Sequence, residues 1–251
     1  MAPHVVVALA LSTLIGLSLG LLGGGGSILA VPVLVYVARV EVHAAIGMSL
    51  AVVGTTALVG GLVHARAGRV DPRAAALFWG AGMLAAPLGA QATHAVAPRV
   101  LMLLFAGLML VVGSLLLRGR GAAGGPAARP HPAAVPAAGF GVGLLTGFLG
   151  VGGGFLIVPA LVLLGGLAIH RAVGTSLLVI ALNSAGGLAG HLSRGEMPVG
   201  LTSAFTAAAA LGALLGVRLA GRLDPARLRR AFAAFVMLVG LLLLARNALP
   251  A

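Results

Sequence analysis

The chain has no cysteine, no lysine and only four acidic residues, Glu41, Asp71, Glu196 and Asp224. Without cysteine there are no disulfides, thiolate metal sites or cysteine nucleophiles, and nothing follows about compartment. The shortage of charge excludes more. Charged residues are 8% of 251 and hydrophobic ones 60%, with a mean hydropathy of +1.16. A soluble domain cannot cover its surface with so few charges, so most of this chain has lipid as its solvent.

Apolar runs long enough to span a bilayer recur at 4–22, 43–64, 74–93, 100–117, 170–192, 199–217 and 228–245. They predict an all-α, polytopic transmembrane bundle. The first run lacks a basic flank, and its sequence recurs at 139–149, so it reads as part of the fold and not as a signal peptide. The net charge of +12 comes from 16 arginines. They sit in short loops between apolar runs, where the usual role is topological, so a nucleic-acid partner is not expected.

Two stretches are nearly the same words. Residues 20–32 read GLLGGGGSILAVP and residues 147–159 read GFLGVGGGFLIVP, 127 positions apart. The offset also aligns His43 with His170, Gly47-Met48-Ser49-Leu50 with Gly174-Thr175-Ser176-Leu177, and His64 with His191. About a third of positions from 16 to 113 are identical at this offset without a gap, too many for shared hydrophobicity alone. The chain reads as a tandem duplication: repeats at 1–117 and 135–251 flank a Gly/Pro/Arg linker at 118–134 that is expected to be cytoplasmic.

Each copy holds five apolar pieces, the second of them short, at 27–38 and 154–168. Two pieces that both cross, or both turn back, give an odd number of crossings and inverted copies. The inverted scheme places 12 arginines on the cytoplasmic side and 4 outside, whereas parallel copies split them 8 and 8. The positive-inside bias therefore predicts two inverted repeats, about 8 to 10 membrane segments and both termini outside. Whether the short pieces cross or re-enter stays open.

Inverted repeats are common in secondary transporters, whose substrates bind near the midplane at broken helices. Glycine runs let the backbone leave helical geometry, and lipid tolerates such a break only in a protein interior or on a cavity wall. The candidate substrate-binding set is Gly23, Gly25, Gly26, Ser27, Pro32, Gly47 and Ser49 with Gly150, Gly152, Gly153, Gly154, Pro159, Gly174, Thr175, Ser176 and Asn183. A helix restarting after the glycines would aim N–H groups at an anion, and hydroxyls and an amide could bond an oxyanion. The alternatives are close helix packing for the glycines and bonding back to the helix for Ser and Thr.

His43, His170, His64 and His191 bracket the polar helices and are either interface anchors or proton carriers. No metal or cofactor is expected. Gly16-Leu17-Ser18-Leu19-Gly20 matches a hydrolase pattern by letter, but its copy has Leu145 in place of Ser18. No enzyme is expected.

The run GFLGVGGGFLIVPALVLL with HRAVGTSLLVI resembles the hallmark of the sulfite exporter TauE/SafE family of permeases, and GLLGGGGSILAVPVLVY with HAAIGMSLAVV is a variant of it. Met48 departs from the pattern where the second copy has Thr175. The resemblance implies a multi-pass permease of the bacterial cytoplasmic membrane for sulfite, an organosulfonate or a related anion. The competing reading is a non-transporting membrane subunit of a partner complex.

Overall fold

The computed structural model describes residues 3–93, 98–118, 133–149, 154–192 and 198–248. The described residues are helical, with no strand among them. Lipid offers the backbone no hydrogen bonds, so helices that satisfy their own are the available solution. They are α1 (Pro3–Leu22), α2 (Ser27–Pro32), α3 (Val42–Arg66), α4 (Pro72–Thr93), α5 (Pro98–Leu117), α6 (Ala134–Leu149), α7 (Gly154–Leu163), α8 (Ile169–Leu192), α9 (Val199–Arg222) and α10 (Pro225–Ala248). Residues 119–132 of the expected linker lie outside the described residues.

Among the described residues, five helices are long and apolar enough to cross a membrane: α3, α5, α8, α9 and α10. This is fewer than the seven apolar runs of the sequence. Run 4–22 forms the 20-residue helix α1, whose described side chains begin at Val6, and run 74–93 forms α4 without reaching the hydropathy of a span. The protein is a multi-pass membrane protein.

The acidic residues have a structural use. Glu41 accepts a hydrogen bond from the Ala44 amide at 3.0 Å, Asp71 from the Ala74 amide at 2.9 Å and Asp224 from the Ala226 amide at 3.0 Å. Each caps a helix start, α3, α4 and α10 in turn, where backbone donors have no partner in the helix. Hydrogen bonds from the His43 amide, the His43 ring and the Ala44 amide hold the exposed Glu41 carboxyl down at about 2, against 4.5 for a free glutamate. A depressed carboxyl stabilises the fold above its unfolded value and stops doing so as pH falls through its folded one. The melting midpoint of the native protein is therefore expected to exceed that of Glu41→Gln above pH 5 and to converge on it near pH 2. A pH-independent difference would assign the effect to something other than the carboxylate charge.

Equivalent helices of the two copies meet in pairs. α3 runs antiparallel to α8, with Gly54 against Ser184, Gly61 against Leu177 and Gly187 against Leu50. α5 runs antiparallel to α10, with Gly113 against Met237 and Gly240 against Met109. The remaining long contacts cross between copies: α1 lies parallel to α9, and α6 parallel to α4. Both seams are tight because small residues let backbones touch. Gly16 and Gly20 rest on the Ala209 and Ala213 carbonyls, so the hydrolase-like letters at 16–20 are a packing seam, and Ser18 bonds back to the Leu14 carbonyl at 2.9 Å.

The first short piece turns back. The α2 segment begins against Ile15 and Leu19 of α1, so the chain has reversed after Leu22. It continues as a π-helical stretch, Val33–Val37, and Pro32, which has no N–H to give, sits at the switch. At 1.5 Å per residue, residues 27–37 and 154–163 reach roughly 15 Å, about half the ~30 Å hydrocarbon core.

Candidate functional site

The first glycine break meets the start of α7 in the interior. Gly23 adopts φ 78°, a left-handed conformation that ends α1 and suits glycine. A methyl on Gly24 would fall on the Gly154 carbonyl, and one on Gly154 would lie 2.6 Å from Ser27 Oγ. Gly25 faces the Phe235 ring, and Gly26 faces Ile15. Around this contact α7 is buried from Gly154 to Val162, Pro159 included, whereas Pro32 is exposed. Gly150, Gly152 and Gly153 lie outside the described residues.

The hydroxyls of the candidate set are bonded to backbone. Ser27 Oγ donates to the Gly24 carbonyl at 2.8 Å and Ser49 Oγ to the Ile46 carbonyl at 2.8 Å. Ser176 Oγ lies 2.8 Å from the Val173 carbonyl and 3.0 Å from that of Gly23, so it pins the first glycine break to α8. Gly47 is buried within α3. The fully buried Thr175 accepts a hydrogen bond from the Asp71 amide at 3.0 Å, tying the α3–α4 loop to α8.

That loop joins a second packed region. His64, fully buried at the end of α3, places Nε2 3.4 Å from the Gly20 carbonyl, and its Cβ abuts Gly174. The Nδ1 atoms of His64 and His170 are both buried without a hydrogen-bond partner. His43 pairs with Glu41 at 3.0 Å on the exposed surface. His191 belongs to α8, and its side chain lies outside the described residues.

A cavity of about 510 Å³ opens between α4, α6, α7 and α8. Of the candidate set it touches Asn183 alone, at the middle of α8. The rest of its wall is supplied by residues outside that set: Phe78, Trp79 and Met83 from α4, Thr146 from α6, Ile157 from α7. The Trp79 Nε1–H is buried and meets no acceptor. One sequence signal marked this position. Trp79 is the sole tryptophan, and the copy has Thr206 there.

The counterpart of Asn183 is Thr56, whose side chain is fully buried and whose Oγ1 has no partner. The two halves are thus built alike but opened differently, with the polar side chain facing a cavity in one and sealed in the other.

Comparison with known proteins gives a consistent answer. The sulfite exporter TauE/SafE family model matches residues 8–243. A probable membrane transporter protein of Xylella fastidiosa (strain 9a5c) is 42% identical over 182 residues, covering 70% of this chain and 69% of that protein. Probable membrane transporter protein YdhB of Bacillus subtilis is 26% identical over 237 residues, covering 92% and 96%. No solved structure matches. With glycine–proline motifs in both copies and a match spanning nearly its whole length, the chain belongs to the sulfite exporter TauE/SafE family.

Proposed function

We propose that this protein is a secondary transporter that moves a small anion, sulfite or an organosulfonate, across the bacterial cytoplasmic membrane by alternating access. The observation that carries the reading is the meeting of two half-length helices at Gly24 and Gly154 beside a cavity of about 510 Å³. Broken backbone at membrane depth is stable only in such a place, and secondary transporters bind substrate there. The family description supplies the sulfur oxyanion, and the names of the relatives supply transport.

In this reading repeats 1–117 and 135–251 are inverted about the cytoplasmic linker 118–134. The antiparallel runs of α3 with α8 and α5 with α10 support it, because a two-fold axis in the membrane plane reverses the direction of equivalent helices. The site lies around Gly23, Ser27, Gly154, Ser176 and Asn183, where both copies contribute. A proton route, where flux is coupled to one, runs through His64 and His170, whose Nδ1 atoms are free inside the protein.

Purified protein in liposomes is expected to carry sulfite or a small sulfonate down an imposed gradient. Absence of flux for every small anion would remove the transporter reading in favour of a partner-bound subunit. The cysteine-free chain lets topology be read in parallel. Arg39→Cys and Ala67→Cys, at opposite ends of α3, are expected to react with an impermeant thiol reagent from opposite faces, Ala67→Cys from the cytoplasm.

A further inference from the structure

The end of the bundle where α3 and α9 finish carries an unbalanced charge. Arg69, half-buried in the α3–α4 loop, lays its guanidinium on the last turn of α9, where Gly221 has no side chain to block it. A methyl on Gly221 would lie 3.0 Å from Arg69 Nη1 and 3.5 Å from Nη2. Gly221 stands between Arg218 and Arg222, both exposed. Four residues apart on a helix, these two share a face about 6 Å from one another, so the last turn of α9 gathers three guanidinium groups. None of the three has a hydrogen bond or an ion pair among the described residues. The acids of this end, Asp71 and Asp224, accept hydrogen bonds from the Ala74 and Ala226 amides and cap α4 and α10.

The fold explains part of this arrangement. A cation at a helix C-terminus meets the negative end of the dipole, but that end carries roughly half a charge, against three whole ones. Like charges so near repel. An anion seated among them removes the repulsion and accepts hydrogen bonds from planar forks that match a phosphate. The internal copy serves as a control. At the offset of 127, Arg69, Arg218 and Arg222 correspond to Glu196, Gln91 and Ala95. The other copy carries no cation at any of the three positions, so the repeat itself does not require the cluster.

The same face of α9 continues into the bilayer. Leu211 and Leu215 are exposed, and with Arg218 and Arg222 they stand at i, i+4, i+7 and i+11, one stripe of the helix. At 1.5 Å per residue, Leu211 lies roughly 16 Å along the axis from Arg222, within the reach of an acyl chain. We propose that Arg69, Arg218 and Arg222 hold the phosphate of an anionic phospholipid whose acyl chain lies along Leu215 and Leu211. Basic clusters at the ends of membrane helices take acidic headgroups in this way. Such a lipid bridges the two copies, because Arg69 belongs to the first and Arg218 and Arg222 to the second. A soluble oxyanion shares the phosphate chemistry but makes no use of the leucine stripe. The proposal does not depend on the transport reading.

Native mass spectrometry of the detergent-solubilised protein, titrated separately with phosphatidylglycerol and phosphatidylcholine, counts bound lipid. Phosphatidylglycerol is expected to bind at least ten-fold more tightly and to raise the melting midpoint, as a ligand of the native state does. Arg218→Gln/Arg222→Gln is expected to weaken phosphatidylglycerol at least ten-fold, to leave phosphatidylcholine unchanged and to abolish the rise in melting midpoint. Arg118→Gln/Arg230→Gln removes the same charge from exposed positions at the α5–α10 corner and is expected to leave phosphatidylglycerol binding within two-fold. If the first double variant does not fold, the single variants Arg218→Gln and Arg222→Gln decide, each expected to weaken phosphatidylglycerol several-fold. Inorganic phosphate in large excess, at constant ionic strength, is expected not to displace the lipid.

Equal affinity for the two lipids overturns the proposal. Equal weakening by the two double variants does so too, because net charge alone would then account for binding. Displacement by inorganic phosphate assigns the cluster to a soluble anion and overturns the lipid as its occupant.

Discussion

Gly24→Ala is expected to destabilise the protein by about 3 kcal/mol, the upper end of what overpacking a core costs. The added methyl would fall on the Gly154 carbonyl and lie 3.1 Å from the Phe155 Cα, and both neighbours are backbone, which cannot swing aside as a side chain would. Relief requires separating the two half-length helices, and with them the centre where the copies meet. Gly107 of α5 is the matched control. Nothing lies within 4 Å of a methyl there, so Gly107→Ala is expected to be neutral or to gain up to about 1 kcal/mol from helix propensity. Melting in detergent, followed with monodispersity on size exclusion, reads both. A Gly24→Ala protein that melts with the native one would mean that Gly24 and Gly154 do not touch.

Phe155→Ala should cost about 2 kcal/mol, less than the 3–5 kcal/mol usual for a buried phenylalanine in a water-soluble core. Phe155 is fully buried in α7, edge-on to Phe105 of α5, with ring centroids 5.1 Å apart and an interplanar angle of 89°. In a soluble protein much of the loss is transfer of the ring from water. Here the unfolded chain stays in lipid, so the transfer component drops out and the void and lost dispersion contacts remain. A ring's volume of roughly 100 Å³ at about 24 cal/mol per Å³ gives about 2.4 kcal/mol. The ring also holds α7 against α5, so flux should fall further than stability alone explains. Steric trapping in bicelles measures the free energy directly, and a loss above about 4 kcal/mol would show that the ring is exposed to water when the chain unfolds.

Much of the architecture was legible because its signals are local. The run at 43–64 became Val42–Arg66, and the start at 199 became the first residue of α9. The offset of 127 marked which helices would be equivalent, and α3 with α8 and α5 with α10 do pair. The first glycine cluster marked a real break, at Gly23 to Gly26, and Gly154, the last glycine of the second, opens α7. The polar residues were harder. Ser49 and Ser176 stand at equivalent positions, yet one bonds within its own helix and the other also grips Gly23. Asn183 and Thr56 are equivalent too, yet one faces a cavity and the other is sealed.

The sequence by itself determined that the chain is helical, duplicated, membrane-embedded and broken at its first glycine cluster, because lipid leaves the backbone one internal solution and glycine marks where it is interrupted. Only the tertiary structure decided which face of each helix looks inward, and therefore that Trp79 and Asn183 line one cavity. In water an inward face announces itself as an apolar stripe on a polar helix. In lipid both faces are apolar, the stripe disappears, and the inward side is set by shape, by how closely Gly16 approaches Ala209 or Gly24 approaches Gly154.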